Sequence, residues 1–159
     1  MRDEPKERIH PKALSVWRAT GALISGVNVL LALVLFVIVY LTNIPFWIAI
    51  LAFVFVIIVA YVIIGVIPNI RYKRWRYEVN EQEIDIQHGI VVVKRTLVPM
   101  VRVQHVDTKQ GPILRHYDLA TVTISTAATT HEIPALSMAD AGKLRDRIAE
   151  LARVVDEDE

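Results

Sequence analysis

The spacing of apolar residues divides this chain sharply into two parts. Residues 19–70 contain no Asp, Glu, Lys or Arg, and every charge lies in the first 18 residues or from Arg71 onward. Two apolar runs fill the uncharged stretch, 19–41 and 46–67, which are 23 and 22 residues long. An α-helix needs about 20 residues to cross a hydrocarbon core ~30 Å thick, so each run predicts a transmembrane helix. A cleaved signal peptide fits the first run poorly, because its apolar stretch is too long and a second span follows within five residues. The connection Thr42-Asn43-Ile44-Pro45 predicts a tight turn, with Pro45 in the first turn of the second helix, where a missing amide hydrogen is tolerated. Residues 19–70 therefore read as an antiparallel two-helix hairpin.

From Arg76 the pattern changes to short β-branched segments separated by turn residues, the mark of an antiparallel sheet or barrel of six or seven strands. Strands are expected over 76–79 and 83–88, with Asn80-Glu81-Gln82 turning between them. In the second, Ile84 and Ile86 face inward and Glu83, Asp85 and Gln87 outward. Gly89 supplies the next turn, and 91–99 and 100–109 follow as strands. Val106 breaks the alternation of Val101 and Val103, which predicts a bulge near His105. Residues 110–118 contain Gly111-Pro112 and read as an irregular or helical excursion. Residues 119–126 alternate cleanly, and a last strand covers 131–136. A terminal helix starts at Ser137, with Asp140 completing a capping box. Leu144, Ile148, Leu151 and Val155 form one apolar stripe, which must lie on an open end or face of the sheet. The chain is thus organised as a basic N-terminal segment (1–18), a hairpin (19–70), a strand-rich domain (71–155) and an acidic tail (156–159).

Charge sets the orientation. Arg2, Lys6, Arg8, Lys12 and Arg18 precede the first span, Arg71, Lys73, Arg74 and Arg76 follow the second, and the turn has none. Basic residues stay on the cytoplasmic side, so both termini and the domain are expected there, at the cell membrane. Trp17, Tyr40, Phe46, Trp47, Tyr72 and Trp75 sit near the span ends, where amphipathic rings mark the interfaces. Arg71, Lys73, Arg74 and Arg76 also suit contact with anionic lipid, at roughly 1 kcal/mol each. Within the spans, Asn28 reads either as an interhelical hydrogen-bond site or as a tolerated amide, and Gly21, Ser25 and Gly26 as places where helices approach closely. No ionisable group in the spans offers a proton relay or voltage sensor.

Other chemistry is scarce. From Arg71 onward there are 13 basic and 14 acidic side chains, too balanced for a nucleic-acid surface. There is no cysteine, and no two of the five histidines lie at the i, i+4 spacing of a helical metal site. His131-Glu132 begins like a metalloprotease helix, but Pro134 forbids that helix. Thr123, Ser125, Thr126, Thr129 and Thr130 lack a His and acid in relay and read as solvated edge-strand residues rather than nucleophiles. No cofactor is expected, and the chain does not read as an enzyme.

Three stretches carry a family resemblance. They are Tyr77-Glu78-Val79 through Glu83-Ile84-Asp85-Ile86-Gln87-His88-Gly89, then Pro99-Met100-Val101-Arg102-Val103-Gln104-His105-Val106-Asp107, then Gln110-Gly111-Pro112-Ile113-Leu114-Arg115. Together with the element order they resemble the YdbS-like bacterial pleckstrin-homology membrane proteins, over the whole chain. The resemblance implies an α+β membrane protein in which a two-helix hairpin precedes a split antiparallel β-barrel capped by a C-terminal helix, with an envelope-associated role and no catalytic mechanism. Arg102, Gln104, His105 and Arg115 fall in these motifs. They read either as a recognition surface for a partner protein or acidic peptide, or as solvent-facing strand residues and a satisfied bulge. Phosphoinositide-binding pleckstrin-homology domains carry basic residues around the loop between their first two strands. Here that loop is Asn80-Glu81-Gln82-Glu83, whose carboxylates would repel a phosphorylated headgroup, so no specific phosphoinositide is expected. The expected partners are the bilayer and either another membrane protein or a second copy of the chain. A small oligomeric transporter or channel component is the alternative.

Overall fold

The computed structural model describes residues 4–42 and 44–157, with the side chains of 155–157 left undescribed. Its two compact units are residues 17–70, and residues 1–16 together with 71–159. The acidic tail falls among the residues whose side chains are not described, as do Val155 of the expected stripe and Asn43 of the turn.

The hairpin unit takes most of its residues from α1 (Ala13–Leu41) and from a second helix that runs from Trp47 to Arg74. The second comprises α2 (Trp47–Tyr61), a π-helical turn (Val62–Val66) and α3 (Ile67–Arg74). Both are long and apolar enough to cross a membrane. Each outruns its apolar run, α1 at its start and α3 at its end, because backbone hydrogen bonding continues into polar sequence where water or headgroups replace lipid. Pro45 lies one residue ahead of the N-cap Phe46 instead of in the first helical turn, and its carbonyl accepts from the Ile48 amide. The π turn precedes Pro68, which has no amide hydrogen to give to the carbonyl four residues back and whose ring crowds it; a widened turn relieves both. Asn69 Nδ2 donates to the Gly65 carbonyl (2.7 Å), and Arg18 Nη2 donates to Asn69 Oδ1 (3.3 Å), tying α1 to α3. Gly21 permits the closest approach: a Cβ there would lie 3.0 Å from Ile63 Cγ2, whereas nothing lies within 4 Å at Gly26. Asn28 donates to its own helix at Ile24 O (2.9 Å), so it acts as a tolerated amide and not as an interhelical tie.

The second unit holds two antiparallel sheets, β1-β2-β3-β4 and β5-β6-β7. These are β1 (Glu7–Arg8), β2 (Arg76–Val79), β3 (Glu83–His88), β4 (Lys94–Pro99), β5 (Val103–Lys109), β6 (Leu119–Thr126) and β7 (Thr130–Ser137). Helix α4 (Pro112–His116) fills the expected excursion, and α5 (Met138–Glu157) packs on β5, β6 and β7. Ile84, Ile86, Val98 and Met100 from the first sheet and Leu119, Val122, Ile124 and Ile133 from the second form the core with Ala141, Leu144 and Ile148 of α5. Ser137 caps α5: its Oγ accepts from the Asp140 amide (3.1 Å) and donates to Asp140 Oδ2 (2.6 Å).

Strand β1 was not foreseen. The N-terminal segment pairs with β2 (Glu7↔Tyr77, Arg8↔Arg76), and Ile9, Ala13 and Val16 are buried in the domain, so chain on both sides of the hairpin builds one core. The His10 amide donates to the carbonyl of Ala135, which has φ +53° at a bulge in β7. Tyr77 is buried and its hydroxyl bonds Glu7; burial, followed by that carboxylate, pushes the phenol well above its ordinary range and keeps it neutral.

Several expectations change. Asp85 does not face water: it is buried and forms a two-nitrogen ion pair with Arg95 of β4 (Nε to Oδ1 3.1 Å, Nη2 to Oδ2 2.6 Å). Trp75 is buried with its ring stacked on His88 (centroids 5.6 Å apart), so it is a core residue rather than an interface marker. Strand β6 is the central strand of its sheet rather than an edge, and Thr121 and Thr123 are buried rather than solvated. The first third of the expected strand 91–99 is a loop, and Met100–Arg102 is a single 3₁₀ turn. Leu151, expected to be buried, is half-buried.

Candidate interaction surface

The residues singled out from the sequence do not form one cluster. Arg102 closes the 3₁₀ turn between β4 and β5 and is exposed. Gln104 is the extra residue of the expected bulge, since Val103 pairs with Thr126 and His105 with Ser125. His105 Nδ1 lies 2.6 Å from the Gln104 carbonyl oxygen, which requires a proton on that nitrogen. Arg115 stands on α4, past the opposite end of β5. Five residue steps along the extended chain separate His105 from Gln110, about 17 Å, so Arg115 cannot share a small ligand with Arg102.

Arg102 and Gln104 do meet one feature, an open groove of ≈ 420 Å³ between the β4 end and the β6–β7 turn. Leu97, Val101, Thr126, Thr129 and His131 also line it. Leu97 and Val101 leave more than two-fifths of their surface in water, so the groove joins apolar walls to a guanidinium and an amide. The Thr126 hydroxyl donates to Thr129 O (2.8 Å) and shapes the turn at its rim. No group of three His, Asp or Glu side chains is placed to hold a metal among the described residues.

The juxtamembrane cations divide in two. Arg71 and Lys73 are exposed on the last turns of α3. Arg74 donates through Nη1 to the carbonyls of Ile90 (2.6 Å) and Val91 (3.3 Å), and Arg76 pairs with Glu4 (3.2 Å). The acidic turn is tight: the Asn80 amide donates to Glu83 O and the Met100 amide to Gln82 O, leaving Glu81 exposed.

Around His88 the charge is positive. Burial lowers its pKa below the ordinary histidine value, and Lys94, Arg71 and His131 lower it further. His131 is lowered by burial and then by Lys94. Sequence inspection gave no reason to pair His88 with His131, which lie on strands of different sheets. The β3–β4 loop was also missed, although four consecutive aliphatic residues after Gly89 break the alternation that a half-buried strand requires.

Two membrane-crossing helices and a two-sheet domain closed by a C-terminal helix define the class: a transmembrane protein bearing a pleckstrin-homology-like domain. The bacterial PH domain family model matches residues 22–152, and the chain belongs to that family. It is 52% identical over 158 residues to the transmembrane protein YdbS of Bacillus subtilis (strain 168), covering 99% of both chains. No solved structure matches it.

Proposed function

We propose that the protein is a noncatalytic, membrane-anchored interaction module, with both termini and the domain in the cytoplasm, that binds another membrane protein or a second copy of itself. The groove beside Arg102 and Gln104 carries this reading. It sets exposed apolar walls next to an exposed cation, a combination suited to a peptide segment with an acidic residue beside an aliphatic one. The acidic Asn80 to Glu83 turn supports protein over a phosphorylated lipid headgroup, and lipid attraction at Arg71 and Lys73 is expected to follow surface charge and not headgroup identity.

The test is photocrosslinking in intact cells, with a photoreactive amino acid placed in turn at Gln104 and at Arg115 of the full chain. A discrete adduct from Gln104, identified by mass spectrometry as one membrane protein or as the chain itself and lost with Arg102→Glu, is expected. Arg115 serves as the position outside the groove. Equal, diffuse labelling from both positions would refute the assignment. Single cysteines at Thr129 and Asn43, in a chain that has none, test the orientation: an impermeant thiol reagent should reach only Asn43→Cys from outside.

A further inference from the structure

Between β3 and β4 the chain carries Ile90-Val91-Val92-Val93. Val91 is 88% and Val92 78% exposed, the most exposed aliphatic side chains of the domain among the described residues. This tip is built, not slack. Gly89 sits at φ +147°, and a Cβ there would lie 1.9 Å from the Val92 carbonyl oxygen, so only glycine allows the chain to fold back this tightly. The guanidinium of Arg74 holds the two carbonyls that open the loop, those of Ile90 and Val91.

Arg74 is the last residue of the helix that forms the second span. It lies four residues beyond Ile70, the end of the uncharged stretch, which amounts to about 6 Å of helical rise. The headgroup layer on each side of a bilayer is about 5–8 Å deep. The tip is therefore tethered to a residue at headgroup depth. Its surroundings complement an anionic surface, with Arg71 and Lys73 on the same helix end and Lys94 exposed at the start of β4.

We propose that the 90–93 tip is a second, non-helical membrane anchor, whose valines enter the interfacial zone of an anionic leaflet. Aliphatic side chains in water at the headgroup boundary have lipid as their nearest apolar phase. The tip's backbone already satisfies part of its hydrogen bonding through Arg74, which reduces the cost of leaving water. The domain is then held to the lipid surface at two points.

The chain has no cysteine, so Val91→Cys and, as a water-exposed reference, Glu81→Cys give single sites for an environment-sensitive fluorophore. The labelled full-length protein is reconstituted into phosphatidylglycerol–phosphatidylcholine vesicles. At Val91 we expect blue-shifted emission, quenching by lipids spin-labelled near the headgroup, and iodide quenching several-fold weaker than at Glu81. Adding Val92→Asp, at a site too exposed to affect folding, should return the probe to water while the far-UV spectrum stays unchanged. Emission and iodide quenching at Val91 equal to those at Glu81 would overturn the proposal. So would a blue shift insensitive to spin-labelled lipid, which would place the tip against protein, or a probe that stays embedded with Val92→Asp.

Discussion

Ile9→Ala probes the feature that separates this structure most sharply from a hairpin followed by a self-contained domain. Ile9 is 2% exposed in the core that β1 closes, although more than sixty residues and both spans separate it from β2. Truncation deletes three carbons. At ~0.8 kcal/mol per buried carbon the transfer loss is about 2.4 kcal/mol, and the cavity left behind raises the expected total to ~2–5 kcal/mol. The assay is urea unfolding of the full chain in mild detergent. Of the three tryptophans, Trp17 and Trp47 are replaced by Phe, so that emission reports only Trp75, buried in the domain. With a slope of about 2 kcal/mol per molar urea for a domain of this size, the midpoint should fall by about 1–2.5 M. Ile148→Ala, at a fully buried position on α5, should produce a fall of the same order. If Ile148→Ala shifts the midpoint and Ile9→Ala leaves it in place, the N-terminal segment is not part of the core.

Two further outcomes follow from the polar interior. The folded pKa values of His88 and His131 are lowered below the unfolded value of about 6.5, so the unfolded chain binds more protons in the window beneath that value. Their contribution is complete above about pH 6.5 and is lost as pH falls through the lowered folded values. The urea midpoint should therefore drop between about pH 7.5 and about pH 5.5, and Lys94→Gln, which removes the positive charge facing both rings, should shrink the drop. Arg95→Met leaves the buried Asp85 carboxylate without its partner and should lower the melting temperature more than the double replacement Asp85→Leu with Arg95→Met. A double variant no more stable than the single one would contradict that account.

The sequence alone determined whatever depends on short range or on solvent. Two charge-free runs of membrane-crossing length specify the spans, because an unpaired charge has no favourable place in hydrocarbon. The strands at 76–79, 83–88 and 119–126 were legible to the residue, since turn residues bound them. The capped start of α5 and the bulge beside His105 followed from hydroxyl spacing and a break in alternation. Tertiary structure decided which strands share a sheet and what covers each face. That is why Asp85 and Thr123, polar residues at alternating positions, are buried, and why Trp75 lies inside a core instead of at an interface. It also decided that residues 7–8 complete a sheet begun beyond the hairpin, which no local pattern encodes in two residues. The candidate surface divides the same way. Arg102 and Gln104 share a groove because the β6–β7 turn folds beside the end of β4, while Arg115 is carried away by the length of β5. Local periodicity records a residue's exposure to its own neighbours, and only long-range packing determines which other surfaces it meets.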